Sequence, residues 1–150
     1  MKILIVDNGT IHLDKIKEIL KDKENQVIKF SEIDVNIANE FDAVILSGGR
    51  DFPVVGNEHL LEREMEFIRN YNKPIFGICF GFELIASVFG SELEMMQNRE
   101  KGILNVEVIS PDEIFLGLNN FEVYEGHRWV IKDPASELKY LAKSKDGIEA

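Results

Sequence analysis

The sequence predicts an α/β fold: a doubly wound, mostly parallel sheet with helices on both faces, joined in the C-terminal third by antiparallel additions. Three observations carry this expectation. Strand-like and helix-like periods alternate from the N-terminus to Gly90. The strand candidates there are continuous apolar runs, as in strands covered on both faces. From Gly102 onward the texture changes to short strands separated by turn residues, the pattern of antiparallel pairs.

Residues 2–6, Lys-Ile-Leu-Ile-Val, form the first strand, and Asp7-Asn8-Gly9-Thr10 ends it. Ile11, Ile16, Ile19 and Leu20 recur at helical spacing among Lys and Glu, which predicts an amphipathic helix to about Leu20. Residues 27–30 suit a second strand and 42–46 a third, which opens into Ser47-Gly48-Gly49-Arg50. Leu60, Leu61, Glu64, Met65, Phe67 and Ile68 predict a helix over about residues 57–71, and Lys73-Pro74 breaks it. Residues 75–78 are the fourth strand and 80–89 the next helix. Strand candidates at 103–109, 121–125, 129–131 and 138–142 follow, and Gly147-Ile148-Glu149-Ala150 reads as another strand beginning. We expect a single domain over residues 1–150, shortened at its C-terminal end before that last strand is closed.

With 150 residues of which 45% are hydrophobic, the chain can bury one ordinary core, and disorder is not expected. Seventeen basic against 27 acidic residues give a net charge of −10, which argues against nucleic acid or an anionic membrane as partner. The acidic surplus, including Glu62-Arg63-Glu64 and Glu92, reads as a solvated face. The first apolar run meets Asp7 too early for a signal peptide, and the apolar stretch 74–90 is interrupted by Gly77, Gly81 and Glu83. A cytoplasmic domain is therefore expected. The one cysteine excludes an internal disulfide framework and a Cys-based zinc site, and no metal or cofactor is expected.

The most informative segment runs from Lys73 to Gly90. Gly77-Ile78-Cys79-Phe80-Gly81 sits where an apolar strand becomes a helix, matching the G-x-nucleophile-x-G elbow with sulfur in place of oxygen. A nucleophile on so sharp a turn requires residues without Cβ two before and two after it, so that strand and helix pack closely. The N-terminus of the following helix favours thiolate, the attacking species. A cysteine flanked by Ile and Phe is by itself an ordinary core residue; the paired glycines reverse that reading. The second element is Ser47-Gly48-Gly49-Arg50. Loops at the carboxyl ends of neighbouring parallel strands converge on one crevice, so this loop is expected beside Cys79, with the N–H groups of Gly49 and Phe80 as an oxyanion pair. On its own the loop reads as a flexible turn.

These residues resemble the class I glutamine amidotransferases, which release ammonia from glutamine through a cysteinyl acyl-enzyme and deliver it to a synthetase. The resemblance runs in order along essentially the whole chain. Residues 42–49 resemble the family's oxyanion strand and loop, and 73–90 its nucleophile segment. Gly126-His127-Arg128-Trp129-Val130 resembles a later histidine-containing loop bordering the glutamine pocket. Within the family the texture is nearest to the amidotransferase subunit of GMP synthase. The resemblance implies Cys79 as nucleophile, and Gly49 and Phe80 as oxyanion donors. It implies glutamine contacts from Gly48, Glu83 and the main chain of Arg128 and Trp129, with His127 as a rim or partner contact. Glutamine and an ammonia-accepting synthetase are the implied partners.

Two departures from the family pattern stand out. Glu83 occupies a position where the family usually has Gln, and a carboxylate there donates no hydrogen bond unless protonated, although it can pair with the substrate ammonium. The family's His-x-Glu pair, which serves the cysteine as base, has no counterpart in residues 1–150. His12 and His59 read as surface residues, and Phe121 and Trp129 as core. A receiver-type signalling domain fails because Leu46 is followed by Ser47-Gly48-Gly49, where an acceptor carboxylate belongs. A flavodoxin-like anion or nucleotide binder and a noncatalytic amidotransferase-like scaffold are the alternatives, and both tolerate loss of Cys79.

Overall fold

A computed structural model describes residues 1–49, 51–98 and 101–150. Its chain forms two compact units, Met1–Val88 and Phe89–Ala150.

The first unit alternates strand and helix as the sequence predicts: β1 (Lys2–Asn8), α1 (Leu13–Ile19), β2 (Glu24–Lys29), α2 (Val35–Ala38), β3 (Ala43–Gly49), α3 (Glu58–Asn70), β4 (Ile75–Gly77) and α4 (Phe80–Val88). The four strands are parallel in the order β2-β1-β3-β4. Right-handed crossovers on such an order put helices on both faces, which is why β1 and β3 in the middle carry unbroken apolar runs. Leu4, Ile5, Val6, Val44 and Leu46 are fully buried. Two local expectations need correcting. Only Ile16 of the first helix is buried, whereas Ile11 and Ile19 are exposed, because the helix starts at Leu13 and is too short to present a full apolar stripe. Glu64 is not part of a solvated face: it is fully buried on α3 with Leu61, Met65, Phe67 and Ile68.

The β1–β3 register shifts near the carboxyl ends of the strands. Val6 pairs with Leu46 and Asn8 with Gly49, so β3 advances three residues while β1 advances two. The extra residue in the Ser47-Gly48 segment makes a bulge, which bends the strand end and re-aims its backbone.

The second unit is antiparallel. It holds β5 (Leu93–Met95), β6 (Gly102–Val108), β7 (Asn120–Glu125), β8 (Trp129–Ile131) and β9 (Ala142–Lys143), with β5 paired to β8 and β6 lying between β7 and β9. The strand expected at 138–142 is reduced to Ala142–Lys143. The residues before it turn back, with Leu138 N donating to Ala135 O and the Tyr140 hydroxyl donating to Pro134 O at 2.7 Å. Ile148 makes single bridges to Ile131 and Lys143, and β5 was not foreseen because three residues hold no period of their own. No described helix is long and apolar enough to cross a membrane.

Candidate active site

β1 is followed by a connection to β2 on one side of it, and β3 by a connection to β4 on the other. The carboxyl ends of β1 and β3 therefore flank the point where the winding reverses, the place where open α/β sheets leave a crevice. Three loops meet around it: Asn8 to Thr10, Ser47 to Gly49, and the turn from β4 into α4.

Cys79 occupies that last turn. Ile78 N donates to Leu46 O at 2.9 Å, which keeps the chain on the sheet edge until one residue before the cysteine. Cys79 then takes φ 50°, the left-handed region that L-residues with a Cβ seldom adopt, and α4 begins at Phe80. Its carbonyl already accepts from Glu83 N at 2.9 Å, so the cysteine stands at the mouth of the helix, exposed.

Close packing at this turn leaves no room for side chains at the flanking glycines. A Cβ on Gly77 would lie 2.5 Å from Phe82 N, and one on Gly81 would lie 2.7 Å from the Leu46 Cβ. Helix and strand touch backbone to backbone, and the turn between them is forced outward.

The Ser47-Gly48-Gly49 loop lies against it. A Cβ placed on Gly48 would be 3.8 Å from the Cys79 Cβ, and one on Gly49 would be 2.9 Å from the Phe80 ring and 2.8 Å from Asn8 O. Cys79, Gly48, Gly49 and Phe80 are therefore together, as the sequence anticipates. The Phe80 ring is buried and meets Phe52 edge-on at 6.1 Å. Arg50, the last residue of the loop motif, lies outside the described residues.

Polar groups behind the loop form a connected set that sequence reading did not assemble. Asn8 N donates to Ser47 Oγ at 2.9 Å, and Ser47 Oγ donates to Gly48 O at 2.9 Å. Asn8 Nδ2 donates to Ser47 O at 3.3 Å and to Glu64 Oε1 at 3.1 Å. Burial pushes the Glu64 carboxyl up to about 7, against the opposing effect of the Asn8 hydrogen bond. A signal existed: a carboxylate at a position whose helical neighbours are all apolar.

Glu83, one turn into α4, is also buried, and burial pushes its carboxyl up to about 7. His12 and His59 are exposed.

In the second unit, Arg128 is exposed and its carbonyl accepts from Met96 N at 2.8 Å; Trp129 begins β8, half-buried. Phe121 is half-buried and stacks on Phe115 at 5.5 Å. His127 is mostly buried, with Nδ1 2.8 Å from Glu125 Oε2. Burial and the neighbouring Glu149 and Asp146 hold the Glu125 carboxyl above the usual range. Glu125, His127 and Glu149 offer ligand atoms within 4.8 Å of one another, and among the described residues they form the group able to hold a metal ion. A hollow of about 480 Å³ along β6 and β9, lined by Ile103, Asn105, Glu107 and Lys143 among others, contains no thiol or imidazole. The nucleophile-bearing turn is the better candidate on chemical grounds.

Comparison with known proteins agrees with this geometry. The family model described as "Glutamine amidotransferase class-I" matches residues 4–150. The chain is 34% identical over 149 residues to a subunit of the glutamine-hydrolyzing GMP synthase of Pyrococcus abyssi, covering 95% of this chain and 77% of that protein. It is 32% identical over 148 residues to the corresponding protein of Thermococcus kodakarensis, covering 95% and 77%. Among solved structures, a protein of Thermoplasma acidophilum assigned to the same GMP synthase component superposes with a TM-score of 0.86 at 27% identity, over 99% of this chain and 75% of that one. A glutamine amidotransferase of Thermotoga maritima shares the fold, with a TM-score of 0.81 at 21% identity over 97% and 68%. A doubly wound core of this order, matched along nearly its whole length, makes this chain a member of the class-I glutamine amidotransferase family, similar to the glutamine-hydrolyzing component of GMP synthase.

Proposed function

We propose that the chain catalyses the glutaminase half of an amidotransferase reaction, with Cys79 as nucleophile at a nucleophile elbow. The observation that carries this is the Cys79 backbone: φ 50° in a turn packed so closely that neither Gly77 nor Gly81 has space for a Cβ. Left-handed strain on a non-glycine residue costs on the order of 1–2 kcal/mol, and such strain gathers where it serves a site.

In this reading the Cys79 thiolate, favoured by the N-terminus of α4, attacks the side-chain carbonyl carbon of glutamine. A sulfur–carbon bond forms, and the carbonyl oxygen takes up negative charge within reach of the Gly49 and Phe80 N–H groups. The carbon–nitrogen bond then breaks, the nitrogen leaves as ammonia after gaining a proton, and water hydrolyses the thioester to glutamate. Gly48 leaves room for the substrate against the loop. Glu83 meets the substrate amino acid, as an acceptor for its ammonium or, protonated, as a donor. Roles for Arg128, Trp129 and His127 rest on family resemblance alone. The ammonia goes to a synthetase, and the names of the similar GMP synthase proteins support that class of partner. A thiol nucleophile requires a reducing compartment, which supports the cytoplasmic expectation.

The test is covalent labelling. A chloroketone analogue of glutamine should modify Cys79 far faster than it modifies a simple thiol, glutamine should protect, and Cys79→Ala should abolish the adduct in mass spectra. A Cys79 no more reactive toward this analogue than a simple thiol would favour the noncatalytic scaffold.

A further inference from the structure

We infer that Glu64 is a positioning residue for the oxyanion loop: through Asn8 it holds the bulged end of β3 in the shape that presents Gly48 and Gly49 to Cys79. This rests on the proposed role of that loop and adds to it a residue on another element, α3.

The bulge is where the need arises. Between the Val6–Leu46 and Asn8–Gly49 pairs β3 carries one residue more than β1, so the regular ladder is interrupted where the loop begins. Side-chain bonds take its place. Ser47 Oγ accepts from Asn8 N, and Asn8 Nδ2 divides between Ser47 O and Glu64 Oε1. The side-chain amide thus ties the strand end to α3.

Glu64 has no other evident reason to be charged-type and buried. Its neighbours on the inner face of α3 are Leu61, Met65, Phe67 and Ile68, and an apolar residue there would avoid the cost of desolvating a carboxyl. Of its two oxygens, Oε1 accepts from Asn8, while Oε2 is buried without a hydrogen-bond partner. The raised carboxyl does not alter the argument, since Oε1 keeps an acceptor lone pair in either protonation state. Rotation of Asn8 would release Ser47 O and with it the backbone leading to Gly48 and Gly49. Those glycines touch Cys79 and Phe80, so a small relaxation here shifts the donors away from the developing oxyanion.

The experiment compares two alkylating agents on the full chain: the glutamine chloroketone, which uses the oxyanion loop, and iodoacetamide, which does not. Glu64→Leu should lower the chloroketone rate about tenfold, the size expected for loss of one buried hydrogen bond to a charged-type group, with the iodoacetamide rate within about twofold of the parent. Glu64→Gln, which keeps an acceptor for Asn8, should retain the parent ratio. Asn8→Ala should reproduce the loss, and combining it with Glu64→Leu should add little, since both cut one link. If the leucine variant does not fold, Glu64→Met serves in its place. A folded Glu64→Leu or Glu64→Met protein with the parent ratio of rates overturns the inference. A parent protein with no preference for the chloroketone removes the proposed function and this inference with it, a result distinct from the first.

Discussion

A Cβ on Gly77 would sit 2.6 Å from the carbonyl oxygen of Gly81, so the last residue of β4 and the second residue of α4 meet with no atoms to spare. The contact fixes the sharpness of the turn, and the turn sets the left-handed conformation of Cys79 between them. Gly77→Ala and Gly81→Ala should each destabilise the protein by about 1–3 kcal/mol or more, as overpacking against rigid backbone does. Gly90, at φ 91° with open space around it, is the control: its alanine variant should lose only about 1 kcal/mol. Urea denaturation of the three variants checks the order.

Strain at Cys79 predicts a second outcome. With the thiol removed in both, Cys79→Gly should be more stable than Cys79→Ala by about 1 kcal/mol, because only glycine adopts φ 50° without cost. Equal midpoints would mean that the turn relaxes once the sulfur is gone.

Burial of Glu64 gives stability a definite slope with pH. Its carboxyl rises from 4.5 to about 7 on folding, so the folded state holds the proton more tightly than the unfolded chain. The resulting stabilisation is complete below about pH 4.5 and is lost as pH rises through 7. Glu64→Gln should remove on the order of 3 kcal/mol from the fall in unfolding free energy across that window. Parallel slopes for parent and variant would refute the buried, uncompensated carboxyl.

Glu83 carries a shift of the same sign, to about 7, and bears on substrate rather than on stability alone. Below that pH its neutral carboxyl donates a hydrogen bond as an amide does; above it the charged form does not. The ratio of chloroketone to iodoacetamide rates should change with pH around 7 in the parent and stay flat in Glu83→Gln, since the ratio cancels thiol ionisation. Identical profiles, with equal glutamine affinity by calorimetry, would leave Glu83 without a substrate role.

Residues 1–150 alone should label at Cys79 yet turn glutamine over slowly. Expulsion of ammonia needs a proton donor, and the absence of a general acid and base costs about 10² to 10⁴ in rate. Full turnover, abolished by Cys79→Ala, would transfer the role of base to His127 or another residue of this sequence.

The strand-turn-helix around Cys79 was legible in the sequence because its causes are local. Gly77, Gly81 and the apolar runs beside them act within a few residues, and chain order with right-handed crossovers places Gly48 and Gly49 next to them. Lys73-Pro74 likewise ends α3 by its own geometry. Other features depended on partners far along the chain. β5 exists as a strand because Leu93–Met95 pairs with Trp129–Ile131, and three residues cannot show a period. The burial of Glu64 was hidden for a similar reason. Helical periodicity puts it beside Leu61 and Ile68, but a carboxylate belongs on the surface unless something inside can accept it. That something is Asn8, 56 positions away, exposed to α3 only where the pairing of β1 with β3 slips by one residue. Local sterics thus determined the turn that carries the thiol, whereas nonlocal strand pairing decided the shape of the loop that faces it and the buried carboxyl behind that loop.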